Sequence, residues 1–377
     1  MKTMERLADS ERVDLIERYG HGGDIWTAEQ RLGVPRAELL DFSANINPLG
    51  PPESVWQAIR ENLSSITAYP DAKSRELKTA LARRYRQPVE KISVGNGAAE
   101  ILYGILRMLQ PQTVGVVHPC FSEYAEAADV AGAQLYGVYA REEDDFLPSR
   151  EALLDACGRV DVMIVGHPNN PNGRLLPLAW LREMAERLRA RDRFLLVDEA
   201  FLDFLPGAQT LAGELEQHPN VVLLRSMTKF FSIPGLRLGF AFAAPELTAS
   251  IERELPPWSV NSLAQAAGIA GVLDLAFEAR TVEWLSEERP FLTAELERLP
   301  GVKTYGGEVN FVLFRCKTPN LQEEVGRLGV LIRNCAAYPG LGPGFYRVAV
   351  RGREENLRLL RALQQAIEEG SPACPTP

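Results

Sequence analysis

The sequence predicts a large α/β domain on a mainly parallel sheet, with helices on both faces, joined to a small α+β domain built from both chain ends. Three observations carry this. Between residues 92 and 242, short apolar runs alternate with longer stretches of helical periodicity, the pattern of successive βαβ units. The runs are almost continuously apolar, as strands covered on both faces require. After residue 300 the order changes to strand, helix, strand, strand, helix, which suits a smaller mixed unit.

Taken in order, residues 92–94 form a short strand and 98–109 a helix, with Ala98, Ile101, Leu102, Ile105, Leu106 and Leu109 on one face. A strand at 114–117, a helix from Ser122, a strand at 135–139 and a helix from Ser149 follow. Then come strand 162–165, helix 178–188 and strands 194–197, 221–224 and 238–242. Two helices, 261–275 and 281–299, lead to strand 310–314, helix 321–328, strands 331–333 and 346–350, and helix 354–369. Residues before 69 show no parallel-sheet pattern and are expected to pack on the second unit. The expected division is an N-terminal arm that is also part of the small domain (1–68), a large cofactor-binding domain (69–275), a C-terminal small domain (276–369) and a disordered tail (370–377).

Composition narrows the function. The chain has 377 residues, 46% apolar and 24% charged, enough to bury a core without disulfide or metal staples. Acidic residues outnumber basic ones by 50 to 41, a net charge of −9. Nucleic-acid binding wants the opposite sign, whereas a small anion needs only a few local arginines. No run reaches the roughly 18 apolar residues of a membrane span. The first twenty residues are charged and amphipathic, unlike a secretory signal. Cys120, Cys157, Cys316, Cys335 and Cys374 are odd in number and scattered, which reads as reduced thiols in the cytoplasm. His21, His118, His167 and His218 include no pair at ligand spacing, so no metal site is expected.

Ligands of open α/β sheets bind beyond the carboxyl ends of the strands. After 92–94 comes Gly95-Asn96-Gly97-Ala98-Ala99-Glu100, where glycines and a helix N-terminus could cradle a phosphate. A tight strand-to-helix turn, or part of a dinucleotide fingerprint, would look the same. After 162–165 comes a Pro- and Asn-rich loop, Gly166 to Gly173, either a plain turn or a rigid mount for Asn170. Asp198 ends an apolar strand, where a carboxylate needs a cationic partner from protein or ligand. After 221–224, Lys229 sits between a polar turn and Phe230-Phe231, where desolvation would lower its pKa. Ser226 and Arg237 flank it and could bind an anion. Ser226 to Lys229 also fits the S-x-x-K of penicillin-binding proteins, but their S-D-N and K-T-G strings are absent. The ordered set is the stronger signal: a phosphate turn, an asparagine loop, an aspartate 28 residues beyond Asn170 and a lysine 31 beyond that. Pyridoxal 5′-phosphate has one group for each: phosphate, phenolic oxygen, ring nitrogen and aldehyde. A dinucleotide-binding sheet protein would leave Lys229 and Asp198 unexplained.

On these motifs the chain resembles fold-type I pyridoxal-phosphate enzymes of the histidinol-phosphate aminotransferase group, over nearly its whole length. Within that group, His21-Gly22-Gly23, the string from Phe42 to Gly50, Pro257-Trp258-Ser259-Val260-Asn261 and Ala337-Tyr338-Pro339-Gly340-Leu341 resemble the threonine-phosphate decarboxylases of cobalamin biosynthesis. The resemblance implies Lys229 as the Schiff-base lysine, Asp198 at the ring nitrogen, Asn170 at the phenolic oxygen and Phe121 stacked on the ring. It implies a phosphate site from Gly97, Ala98, Ala99, Ser226 and Arg237, with Tyr69 reaching it from the other subunit of a homodimer. Arg333 would hold the substrate phosphate and Arg347 its carboxylate, with His21, Gly22, Asn45, Asn47 and Asn170 lining the substrate side. The implied substrate is a small phosphorylated amino acid, decarboxylated or, alternatively, transaminated to 2-oxoglutarate. Two positions depart from the common aminotransferase pattern. Phe201 replaces a tyrosine beside the cofactor, a change that resembles the decarboxylases, and Asn172 replaces a threonine.

Overall fold

The computed structural model describes residues 22–370. A short first strand, β1 (Leu40–Asp41), precedes seven that form the main sheet. These are β2 (Ile92–Gly95), β3 (Thr113–His118), β4 (Gln134–Tyr139), β5 (Val162–Gly166), β6 (Phe194–Asp198), β7 (Val221–Ser226) and β8 (Gly239–Phe242). Their order is β2-β8-β7-β6-β5-β3-β4. The neighbours from β7 through β4 are all parallel, and β8 runs antiparallel to both β7 and β2.

Every residue of β5 and β7 is buried, which explains their unbroken apolar runs. Alternate side chains feed two cores. Met163, Val165, Leu195, Val197 and Leu223 face one layer, while Val162, Ile164, Leu196, Val222 and Leu224 face the other. Helices therefore cover both faces of a mainly parallel sheet, as the sequence predicts.

The second sheet contains β9 (Val302–Tyr305), β10 (Phe311–Cys316), β12 (Arg333–Asn334) and β13 (Phe345–Ala349), in the antiparallel order β12-β13-β10-β9. Between β10 and β12, β11 (Val330–Leu331) pairs in parallel with β1, joining the beginning of the chain to its end. The single strand read at 331–333 is thus two pieces meeting at Ile332, because its halves pair with different strands. Helix Glu53–Glu61 packs on helix Ser262–Leu273. The following helix, Leu275–Arg298, begins six residues earlier than the sequence reading because the Asp274 carboxylate caps the Phe277 N–H at 2.9 Å.

Cys120, Cys157, Cys316 and Cys335 are buried free thiols. Among the described residues no single helix is long and apolar enough to cross a membrane. His21 and most of the tail, with Cys374, lie outside the described residues.

Candidate active site at the carboxyl edge of the main sheet

β2, β7 and β8 meet at one edge of the sheet, and small residues let them meet closely. Gly97 has a φ of 85°, and a Cβ there would lie 2.8 Å from a guanidinium nitrogen of Arg237. A Cβ on Gly239, the first residue of β8, would lie 2.3 Å from the Ala98 nitrogen. Helix Ala98–Leu109 opens at this spot, so the N–H groups of its first turn lack helical acceptors. Arg237, exposed and with a φ of 58°, brings its charge over the same turn. Gly97, Ala98, Ala99 and Arg237 thus form a cradle of donors and positive charge that could hold a phosphate. The buried Ser226 ends β7 and accepts from Lys229 Nζ at 3.0 Å.

Lys229 lies on the short helix Met227–Phe230, its ammonium 5.7 Å from the centre of the Phe201 ring. Burial lowers its pKa to about 8; the Asp198 carboxylate opposes that shift and Arg237 adds to it. A neutral amine is therefore accessible near neutral pH, the form that attacks an aldehyde. Asp198 ends β6 and is held at both oxygens: Oδ1 accepts the Ala200 N–H at 3.0 Å and Oδ2 accepts the Tyr124 hydroxyl at 2.7 Å. Phe121, half-buried, lies edge-on to the Tyr124 ring at 5.8 Å. Behind the edge, Arg225 donates to Glu199 at 2.8 Å and Asp203 at 2.9 Å, tying the ends of β6 and β7 together from within the core.

Asn170 Oδ1 accepts from a guanidinium nitrogen of Arg347, whose other terminal nitrogen donates to the Ser43 carbonyl at 2.8 Å. Arg347 Nε is buried with no hydrogen-bond partner among the described residues. Arg333 is the direct cross-strand neighbour of Arg347, and both are buried, at 6% and 4% exposure. Opposed like charges destabilise a sheet, the more so when buried, unless anions come between them. Gly22 packs on the Ser43 carbonyl, and Asn45 is buried with its Oδ1 unpartnered among the described residues.

Three placements were not legible in the sequence. Asn47, expected on the substrate side, is instead a brace. Its amide donates to the Phe230 carbonyl at 3.0 Å and Thr281 Oγ1 at 2.9 Å, and its N–H bonds the carbonyl of Lys229. Asn172 locks the asparagine loop: its Oδ1 accepts from Asn169 at 2.9 Å and its amide donates to the Phe146 carbonyl at 2.9 Å. A threonine hydroxyl is too short to span both partners. Tyr124 gave no motif signal, because a lone tyrosine on an apolar helix face reads as core. Tyr69 stands out from the surface at 83% exposure, its ring tilted by 41° against that of Trp258 with centres 5.2 Å apart.

Residues 37–363 match the family model of class I and II aminotransferases. The threonine-phosphate decarboxylase of Salmonella typhimurium is 39% identical over 357 residues, 94% of this chain and 98% of that protein. The histidinol-phosphate aminotransferase of Symbiobacterium thermophilum is 32% identical, covering 95% of this chain and 98% of that one. The crystal structure of histidinol-phosphate aminotransferase from Clostridium acetobutylicum superposes with a TM-score of 0.83 at 28% identity, over 88% of this chain and 100% of that one. An anion cradle, a carboxylate and a lysine of lowered pKa at one sheet edge suit one cofactor, and the chain belongs to the class I and II aminotransferase family of pyridoxal-phosphate enzymes.

Proposed function

We propose that the chain decarboxylates L-threonine O-3-phosphate to 1-amino-2-propanol O-2-phosphate, a step of cobalamin biosynthesis. The observation that carries this reading is the opposed pair Arg333 and Arg347: two buried cations suit a substrate with two anions. Histidinol phosphate offers a phosphate and no carboxylate, so it would give Arg347 no anion; in a transamination only the second substrate, 2-oxoglutarate, would supply one. The 39% identity to a threonine-phosphate decarboxylase supports the same choice. Histidinol-phosphate aminotransferases at 32% identity keep transamination to 2-oxoglutarate as the alternative.

In this reading Lys229 is the covalent partner of the cofactor aldehyde, and Asp198 faces the ring nitrogen. Asn170 meets the phenolic oxygen while it orients Arg347. Gly97, Ala98, Ala99, Ser226 and Arg237 hold the phosphate, with Tyr69 joining from the second subunit of a homodimer. Phe121 stacks on the ring, and Phe201 offers a hydrophobic wall where a tyrosine would donate a hydrogen bond. Gly22 and Asn45 close the substrate side. The cofactor supplies an electron sink for the pair left at the α-carbon when carbon dioxide departs. The protein decides which bond breaks. Arg333 on the phosphate and Arg347 on the carboxylate fix two points of a small substrate, and so its rotation about the bond to nitrogen. Lys229, with a pKa lowered to about 8, is populated in both forms near that pH and, when protonated, can give the proton that returns to the α-carbon.

The test is incubation of the purified holoenzyme with threonine phosphate, assaying carbon dioxide and amino transfer to 2-oxoglutarate side by side. Carbon dioxide release should dominate. Efficient transfer from histidinol phosphate without carbon dioxide from threonine phosphate would make the protein an aminotransferase. Borohydride reduction should label Lys229. Sedimentation of a fully active monomer would overturn the shared site.

A further inference from the structure

We infer that Tyr124 is a positioning residue for the reaction: its phenol holds Asp198 so that the shared proton stays on the cofactor's ring nitrogen. The inference rests on the assignment of Asp198 to that nitrogen. Tyr124 is buried, at 2% exposure, on the first turn of helix Glu123–Val130. A carboxylate only accepts, so the 2.7 Å contact with Asp198 Oδ2 has the phenol as donor. Burial and the neighbouring carboxylate push the phenol well above its ordinary pKa, which keeps it a donor at every working pH. The Ala200 N–H satisfies the other oxygen, so the carboxylate is pinned from two sides and cannot swing.

Phe121 lies just before this helix, its carbonyl accepting the Tyr124 N–H at 3.3 Å, and its ring meets that of Tyr124 nearly at right angles. One helix start therefore sets both the carboxylate and the aromatic face proposed to cover the ring. Charge that Asp198 shares with the phenol is not available to pull a proton from the ring nitrogen. Without the phenol that proton moves toward Asp198, the ring loses positive charge and becomes a weaker electron sink. Among the described residues, Cys120, whose sulfur lies 3.7 Å from His118 Nδ1, also acts electrostatically on Tyr124, and Lys229 acts on Asp198 and is itself acted on by Arg237.

The experiment is a pH titration of the visible absorbance of the holoenzyme. A less positive ring raises the affinity of the lysine–cofactor nitrogen for its proton. Tyr124→Phe should therefore move the midpoint up by roughly 0.5 pH unit, a change of about 0.7 kcal/mol. It should lower kcat about tenfold with KM little changed. Replacing Tyr124 by a ring-fluorinated tyrosine, a stronger donor of nearly equal size, should move the midpoint down, and covers the case in which Tyr124→Phe does not fold. A purely structural role would lower cofactor occupancy and leave the midpoint of the loaded protein alone; unmoved midpoints in these variants overturn the inference. Asp198→Asn separates the two levels. If it is silent in turnover and absorbance, the assignment of Asp198 fails. If it is severe while the Tyr124 variants are silent, only the role of Tyr124 fails.

Discussion

The side-chain carbonyl of Asn170 accepts a hydrogen bond from the guanidinium of Arg347, 177 residues further along the chain. A loop at the edge of the large sheet thereby sets the orientation of a cation on the small one. Asn170→Ala removes that acceptor and leaves a buried N–H unpaired, a loss of about 1–3 kcal/mol. The expected result is a fall in kcat/KM for threonine phosphate of roughly ten- to a hundredfold. Steady-state kinetics on the loaded variant checks it; wild-type kcat/KM would remove Asn170 from the site.

Arg333 and Arg347 should not be interchangeable with lysine. Phosphate and carboxylate both suit a planar, bidentate guanidinium, so Arg→Lys should harm either position. Arg333→Ala should weaken threonine phosphate binding by about 2–5 kcal/mol. Unphosphorylated threonine should bind the variant nearly as it binds the wild type. Equal weakening of both ligands, measured by competition, would show that Arg333 does not meet the phosphate.

Lys229 should leave a signature in the stability of the cofactor-stripped protein. Its folded pKa is about 8 against an ordinary 10.5, so the folded chain binds fewer protons than the unfolded chain between those values. Stability must then rise with pH across that window, and the penalty for burying the charged amine is fully present below it. Lys229→Met removes the charge. It should be more stable than wild type at pH 7 by on the order of 3 kcal/mol, a gap that closes above pH 10.5. Urea unfolding at pH 7, 9 and 10.5 reads this directly; a gap independent of pH contradicts it.

Asn172→Thr should cost about 1–3 kcal/mol, because the buried Phe146 carbonyl loses its donor. Thermal unfolding should show a lower Tm. Turnover should fall only modestly, since Asn170 keeps its own contact with Arg347. An unchanged Tm would mean that the loop is held by its prolines alone.

The sheet and its chemical edge were legible because strand ends are a local property. Asp198 and Lys229 stand out wherever an apolar run stops at a charge. What escaped the sequence depends on partners far along the chain. Tyr124 reaches Asp198 across 74 residues, Asn172 reaches Phe146 across 26, and Asn47 reaches Phe230 and Thr281 across 183 and 234. Periodicity cannot report such pairings. It also misplaced the break before the long helix, since Asp274 closes one helix and caps the next. Residues 331–333 read as one strand because Leu331 and Ile332 run into Arg333 with no turn residue between them. The pairing of β1 with β11 divides them.

The brace that Asn47 forms under Lys229 has a consequence for the order in which the protein is made. Asn47 leaves the ribosome early, Lys229 in mid-synthesis and Arg347 near the end, yet all three are linked through Ser43, Asn170 and the Lys229 carbonyl. Local helices and hairpins can form as the chain emerges, but contacts of this sequence separation wait until the loops between them have closed. A nascent chain that has already translated its lysine still lacks the arginines that would receive substrate. Translational stalling before β12 should therefore yield a species that carries Asp198 and Lys229 but neither arginine, and offers the amino acid no anchored pose.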